Sequence, residues 1–331
     1  MMHKGKAKSS QLILYPDGTL YHIDLKRSDN IPLNIFLVGA AGRVDEIAKY
    51  FNQVTFSHRN KERPEFYIVS GIYKGVSMAA MSIGIGVANV EIALNELHAL
   101  FEYDHVKDCW SGAPAKVNII RVGTAGTTLK EIPIGTLAIS FYGLGLDNLD
   151  NFYCCYRYCD RQYQLLKNMA ISLENEFQKT QLGKLIKSSY VSPADREIAW
   201  VLKNKACEID ELAMIAGGIT LASPGFFGPE GRAIGRIQTL FTQHDFVETI
   251  SNFESHGLKI VNMEMETSIL FRLANEILGW RAGAICAVLD NLQTDEMIDS
   301  DFAKERVHVC IKVALEAMVA LVNKPVLILK S

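Results

Sequence analysis

Residues Val117 to Gly126, V-N-I-I-R-V-G-T-A-G, hold the first group of side chains that can do chemistry together. The β-branched opening reads as a strand buried on both faces. Arg121 then stands where a core strand should hold no charge, and a buried guanidinium is costly unless an anion faces it. Gly123-Thr124-Ala125-Gly126 reads as a turn that frees backbone N–H groups. Guanidinium, hydroxyl and free amides this close together form an oxyanion site, for which phosphate is the best-matched ligand. The alternative is a strand end whose arginine pairs with a structural carboxylate.

Four further stretches carry reactive residue types. The strand Asn34–Val38 leads into Gly39-Ala40-Ala41-Gly42-Arg43 and then a helix with Val44, Ile47, Ala48 and Phe51 inward. Strand, glycine-rich turn and helix is the arrangement that aims amides at a phosphate, and Arg43 strengthens that reading. The loop Pro224–Arg232 holds Phe226 and Phe227 beside Glu230 and Arg232, which suits clamping a flat heterocycle, or pinning a surface loop. Met263-Glu264-Met265-Glu266 opens a helix stopped by Gly279. Its alternation sets Glu264 and Glu266 on one side of an extended segment, fit to grip two vicinal hydroxyls. Acids at a helix start also have a purely structural use through the helix dipole. Asp290 ends the apolar run Ala282–Leu289, where α/β folds keep their chemistry.

The elements that must position these residues follow from periodicity. Leu20–Leu25 alternates like an edge strand, and His22 within it is by itself an ordinary surface histidine. Glu65–Ser70 and Val76–Ser82 form a hairpin around Lys74-Gly75. Gly84-Ile85-Gly86 enters a helix with Val90, Ala93, Leu94, Leu97 and Phe101 inward, and Asp104–Lys116 reads as a surface loop. Gly135–Ser140 and Ile215–Pro224 are strands, Asp160–Phe177 is helical, and a long helix through Val307, Ile311, Leu315, Met318 and Val322 closes the chain. Strands alternating with helices give an α/β fold with a mostly parallel sheet and no second domain.

With 331 residues, 49% of them hydrophobic, the chain can bury a large core. A net charge of −3 with interspersed signs speaks against nucleic acid or an anionic membrane surface as partner. Leu12-Ile13-Leu14 is too short for a signal-peptide core or a membrane span, which points to the cytoplasm. Among seven cysteines the one cluster, Cys154-Cys155 with Cys159, lacks a second ligand group, so no metal site is expected.

Taken in order, Y-H-I-D-L, L-V-G-x-x-G-R-V, I-G-I-G, I-R-V-G-T-A-G, the loop ending at Arg232 and M-E-M-E-T-S resemble the nucleoside phosphorylase superfamily, most of all the uridine phosphorylases. The resemblance runs from about Leu20 to about Leu321, leaving residues 1–19 as an extension before a domain of residues 20–331. It implies a three-layer α/β/α single domain with a mixed, mostly parallel sheet, and a homodimer often built into a hexamer. The implied reaction is phosphorolysis of a nucleoside to base and ribose 1-phosphate, with no metal or organic cofactor.

Residue by residue, the resemblance implies that Gly39, Arg43, Arg121 and Thr124 bind phosphate. Glu266 would hold the ribose 2′- and 3′-hydroxyls with Met265 packed on the sugar, and His22 would reach the 5′-hydroxyl across a dimer. Phe226 would stack on the base, Glu230 and Arg232 would read its edge, and Asp290 stands where purine phosphorylases keep an acid that protonates N7, with Arg306 downstream as its partner. Arg121, Glu266 and Asp290 are thus the catalytic candidates.

Three departures accompany the resemblance. Ala40-Ala41 replaces the usual Asp-Pro. Pro64 precedes Glu65-Phe66, so the arginine lent across the dimer shifts to Arg63, or to Arg59 beyond a short insertion. Glu230 stands where uridine phosphorylases carry Gln. Phosphorolysis of a uridine-like nucleoside is the first expectation. A guanosine or inosine phosphorylase, a nucleosidase using water, and a non-catalytic nucleoside-binding protein are the alternatives.

Overall fold

The protein was analysed as a computed structural model that describes residues 10–154, 161–210 and 214–323. Cys155, Cys159 and Asp160 lie outside them. β1 (Asn34–Val38) runs into α1 (Ala41–Ala48), and β2 (Gln53–Arg59) returns through the hairpin of β3 (Phe66–Tyr73) and β4 (Val76–Ile83) to α2 (Val87–Glu102). A small ribbon of β5 (Tyr103–Asp104) and β6 (Cys109–Trp110) precedes the long strands β7 (Asn118–Thr127) and β8 (Leu137–Gly145). Then come α3 (Arg161–Gln178), α4 (Gln181–Ile186), β9 (Tyr190–Pro193) and α5 (Arg196–Ile209). They are followed by β10 (Ile215–Ala222), α6 (Gln243–Ser251), β11 (Glu254–Ser255) and β12 (Leu258–Glu264). α7 (Thr267–Phe271) continues as a π-helix over Arg272–Leu278, before β13 (Arg281–Asn291), β14 (Glu296–Met297) and α8 (Ser300–Asn323).

Among the described residues one twelve-stranded sheet has the order β11-β12-β10-β8-β13-β7-β1-β4-β3-β2, with β9 and β14 attached to β8 and β13. Its centre is parallel: β7 lies between β1 and β13, and β1 beside β4. The β2-β3-β4 hairpins and the contact of β13 with β8 are antiparallel, so the sheet is mixed as expected.

Alternation along β1 divides the core. Ile35 and Leu37 face Val90, Leu94 and Leu97 of α2 and Ile269 and Leu270 of α7. Phe36 and Val38 face Val44 and Ile47 of α1, Leu202 of α5 and Ile311 and Leu315 of α8. Three layers result, α/β/α, and the sheet holds two parallel groups of opposite direction, β4, β1, β7 and β13 against β8, β10 and β12, with the end of β12 returning to pair with the end of β7.

Four local expectations need correction. Gly123-Thr124-Ala125-Gly126 is not a turn: β7 stays extended to Thr127, with Gly123 paired to Cys286 and Ala125 to Val288. Its glycines serve close approach instead, as the site shows. Leu20–Leu25 is a turn rather than an edge strand, because Leu20, Ile23 and Leu25 are all buried and alternation cannot put all three on one face. The Leu20 N–H closes it onto the Leu25 carbonyl at 2.8 Å, and Asp24 takes a left-handed φ of 56°. The loop at 104–116 contains the small ribbon just described. The helix ending at Gly279 is α-helical only in its first part. Its wider second part buries Arg272, which pairs with Asp150 and Glu276.

Candidate active site

The parallel register brings the two arginine segments together. Leu37 pairs with Arg121, so the turn after β1 lies beside Gly123. Gly39 stands against the second glycine turn: a Cβ there would come within 3.3 Å of the Gly84 carbonyl oxygen. Arg43, in the first turn of α1, reaches across and donates from Nη1 to the Val122 carbonyl at 2.9 Å. The start of α1 has no side-chain cap; the Arg43 N–H turns back to the Ala40 carbonyl at 3.0 Å, which leaves the amides of Ala41 and Gly42 for a ligand.

Arg121 is buried and faces two carboxylates, one from the last residue of β12 and one just beyond it. Its Nη2 lies 2.9 Å from Glu264 Oε2 and bonds Glu266 Oε2. Nη1 donates to Cys286 Sγ at 3.4 Å. Burial opposes its charge, but Glu264 and then Glu266 overcome that and raise its pKa. The guanidinium folds back over its own strand: a Cβ on Gly123 would sit 1.8 Å from Nη1. Glycine at 123 is therefore a seat for the arginine.

The two glutamates differ in role. Glu266 Oε1 accepts from the Gly86 N–H at 2.6 Å, at the start of α2. Burial pushes its pKa up, but Arg121 and that amide more than offset it and hold the carboxyl ionised. Glu264 accepts from the backbone N–H groups of Glu266 and Thr267 and so caps α7. Burial pushes it up to about 7 against the pull of Arg121, with the Glu266 charge adding to the push. Met265 lies half-buried between them.

Arg43 is the cation of the group that lacks a carboxylate within ion-pair distance among the described residues. Burial and the nearby Arg121 charge both lower its pKa. The hydroxyl of half-buried Thr124 makes no hydrogen bond among the described residues. Arg43 so stands as a cation without its own carboxylate at the start of α1, which is what an anion of phosphate size requires.

The second cluster is built on a loop. Gly231 adopts φ of 70°, and a Cβ there would strike the backbone of Thr242 at 2.5 Å. This left-handed step turns Glu230 and Arg232 toward each other: Arg232 Nε donates to Glu230 Oε2 at 2.8 Å. Arg232 Nη2 reaches Asp290 Oδ2 at 3.4 Å, and the guanidinium carbon lies 4.2 Å above the Phe226 ring. Burial raises Glu230 to about 7, against Arg232 and helped by Asp290. Asp290 is itself pressed on β7, where a Cβ at Gly126 would approach its Oδ1 to 2.7 Å. The expected Asp290–Arg306 pair is not formed. Arg306 donates to the Gly135 carbonyl and to Asp210, because α8 carries it toward the loop before β8.

His22 is not brought to this rim. Its Nδ1 lies 2.6 Å from Glu96 Oε1, and Glu96 also accepts the backbone N–H groups of His22 and Ile23. Glu96 sits ten residues along α2 from Gly86, about 15 Å at the helical rise. Asn60 donates from its amide to the His22 carbonyl and accepts the Arg63 N–H, which places Arg63 in the same patch, stacked 4.3 Å over Tyr21. Arg59 points elsewhere, over Tyr67 and toward Asp45.

Glu264 has no assigned role in the resemblance, and its sequence signal was the Met-Glu alternation alone. Gly123 and Cys286 are seats for Arg121 that spacing does not reveal. Among the described residues there is no group of three or more His, Cys, Asp or Glu able to hold a metal. No helix among them is long and apolar enough to cross a membrane.

An α/β/α sheet with two arginines, a carboxylate pair and an aromatic loop on one rim defines a class of enzymes that handle a sugar between an anion and a base. A sequence profile of the phosphorylase superfamily matches residues 35–323, and the chain belongs to that family. It is 27% identical to a uridine phosphorylase of Thermococcus kodakarensis over 85% of this chain and 80% of the relative. It is 24% identical to a DeoD-type purine nucleoside phosphorylase of Hahella chejuensis, over 76% of this chain and 78% of the relative. Among solved structures, a Trypanosoma brucei nucleoside phosphorylase, described as showing uridine phosphorylase activity, superposes with a TM-score of 0.78 at 29% identity. That alignment covers 93% of this chain and 99% of the other.

Proposed function

We propose that the protein is a nucleoside phosphorylase, a pentosyltransferase that cleaves a uridine-like nucleoside with inorganic phosphate to free base and ribose 1-phosphate. The observation that carries this reading is the second arginine. A hydrolase needs no anion site, whereas Arg43 stands beside the paired Arg121 with no carboxylate of its own among the described residues.

Phosphate takes the open amides at Gly39 and the start of α1, held by Arg43, Arg121 and the free Thr124 hydroxyl. Glu266, ionised and braced by Gly86, accepts from the ribose hydroxyls with Met265 beneath the sugar. Positive charge developing at C1′ is drawn to the phosphate, while the departing base is stabilised from its far side by the Phe226 loop and Asp290. Fixing both reactants in line supplies much of the acceleration. No group beyond phosphate is required as cofactor.

The active unit in this reading is at least a dimer, the building block of a hexamer made as a trimer of dimers. His22 and Arg63 form one patch about 15 Å along α2 from the Gly86–Glu266 contact, so they serve a partner's site better than their own. This favours Arg63 over Arg59 as the lent arginine. Residues 20–331 form the catalytic domain and residues 1–19 an extension, whose Leu12 and Leu14 pack on the core. Free thiols at Cys109, Cys154, Cys207, Cys286 and Cys310 suit the cytoplasm.

A purine substrate is the second reading, favoured by two carboxylates, Glu230 and Asp290, at the base pocket. The test is turnover of uridine, thymidine, inosine and guanosine with phosphate, scored by ribose 1-phosphate. Uridine is expected to lead; inosine or guanosine leading would select the purine reading, and no phosphorolysis of any would reject both.

A further inference from the structure

The base loop holds two carboxylates and one cation. The charged groups that face Glu230 are Arg232, on its own loop, and Asp290, from the end of β13. Arg232 divides itself between them, with Nε on Glu230 at 2.8 Å and Nη2 on Asp290 at 3.4 Å. Glu230 is 3% exposed, so water cannot take over as its partner. Asp290, with its side chain 22% exposed, remains hydrated.

In this arrangement the guanidinium of Arg232 covers the Phe226 ring at 4.2 Å, the surface on which a base would stack. A base that enters must lift Arg232 off that ring. Uracil then presents O4 and O2 as acceptors, with the N3–H between them as a donor. Arg232 can follow the base and donate to O4 while keeping Asp290. Glu230 is left facing N3–H and O2 without its counter-charge. An ionised carboxylate accepts from N3–H but repels O2, and it cannot donate. A buried carboxylate that loses its cation becomes neutral instead.

We propose that Glu230 reads a pyrimidine base as a neutral carboxylic acid, taking one proton from solvent as uridine binds, while Arg232 passes from Glu230 to the base and Asp290. The proton goes onto a Glu230 carboxylate oxygen, which donates it to O2 while the other oxygen accepts from N3–H. This rests on the reading of the protein as a uridine-type phosphorylase, and it makes Glu230 the residue that ties base recognition to pH. In the free protein burial already holds this carboxyl near 7, so the uptake is small below that pH and approaches one proton above it.

The experiment compares kcat/KM for uridine at saturating phosphate in the wild type and Glu230→Gln between pH 6 and 8.5. Glutamine donates to O2 and accepts from N3–H without a proton, so it is the constitutive form of the same recognition. Phosphate ionisation affects both enzymes alike and cancels in their ratio. The ratio of wild type to Glu230→Gln is expected to fall about tenfold per pH unit above about 7. A ratio constant across the range, with both enzymes turning uridine over, overturns the proposal. A wild type that phosphorolyses guanosine or inosine and ignores uridine overturns it too, since an ionised Glu230 then serves a purine. Failure of the underlying functional reading looks different: no nucleoside shows phosphate-dependent turnover at any pH.

A second measurement needs no variant. Titrating uridine into wild-type protein without phosphate, by calorimetry at pH 8 in two buffers of different ionisation enthalpy, should show close to one proton taken up per site. Uridine binding with no proton uptake contradicts the proposal.

Discussion

The two halves of the rim are built differently. Arg43, Arg121, Glu264 and Glu266 stand on strands of the sheet or on the turns that leave them, and the last three are almost wholly buried. Phe226, Glu230 and Arg232 stand on a loop, with Phe226 46% exposed. A sheet fixes side chains through its register and changes little when one residue is replaced. A loop permits substitution and rearrangement. The sheet half therefore carries the chemistry shared by any nucleoside, and the loop half carries the choice of base. Of the departures from the uridine pattern, Glu230 falls on the loop side, where such a change is tolerated, whereas Ala40-Ala41 alters a turn of the sheet half and leaves Gly39 and Arg43 in place.

If that division holds, damage to the sheet half should be large and blind to the base. Arg121→Ala removes the charge-assisted bonds aimed at phosphate and leaves Glu264 and Glu266 buried without their cation. kcat/KM for phosphate is expected to fall about 10²–10³-fold, equally for every nucleoside accepted. Arg121→Lys should recover only part, since lysine lacks the bidentate fork. Steady-state kinetics with varied phosphate decide this, and unchanged phosphate kinetics in Arg121→Ala would remove Arg121 from the site.

Gly123→Ala is the subtler break of the same half. Its φ is not left-handed, so backbone strain is absent and the effect is steric, a Cβ lying 1.8 Å from Arg121 Nη1 and 2.7 Å from Cys286 Sγ. Displacing the guanidinium by about 1 Å should cost about 10²-fold in kcat/KM while the protein still folds. A thermal melt beside the kinetics separates this from unfolding; full activity would show that the guanidinium does not use this seat during turnover.

The patch around His22 tests whether either half is complete in one chain. Mixing His22→Ala with Arg121→Ala subunits should restore part of the lost activity through hybrid sites free of both defects. If hybrids form, as shown by mass spectrometry, and activity stays absent, each site is built from one chain.

Where the loop meets Asp290 of β13, the diagnostic change is in pH dependence, beside any loss of rate from a less stabilised leaving base. Asp290→Asn removes the charge that helps raise Glu230 and leaves Arg232 to Glu230 alone. The free Glu230 carboxyl then titrates lower, so the pH above which kcat/KM for uridine declines should move in the acid direction. A profile that stays in place would uncouple the two carboxylates.

These contrasts also explain what was legible in the sequence. β1, α1 and α2 were clear because apolar periodicity and glycine turns are local signals. The meeting of Arg121 with Glu266 spans 145 positions, and only the resemblance joined them before the structure did. Gly123-Thr124-Ala125-Gly126 looked like a turn because composition shows that glycine is needed and not why: here it makes room for Arg121 and Asp290 in an extended strand. Arg306 was misjudged as the partner of Asp290 because the direction in which α8 carries it is set by packing. The Glu230–Arg232 pair was readable, two residues apart on one loop, whereas the reach of Arg232 to Asp290 was not.

The central claim is that the unmatched arginine makes this a phosphate-using enzyme, and product analysis tests it most directly. Wild-type protein is incubated with uridine with and without inorganic phosphate, and uracil, ribose and ribose 1-phosphate are quantified. Uracil and ribose 1-phosphate are expected in equal amounts, at a rate that saturates with phosphate and vanishes without it. Uracil released at an undiminished rate without phosphate, accompanied by free ribose, would contradict it.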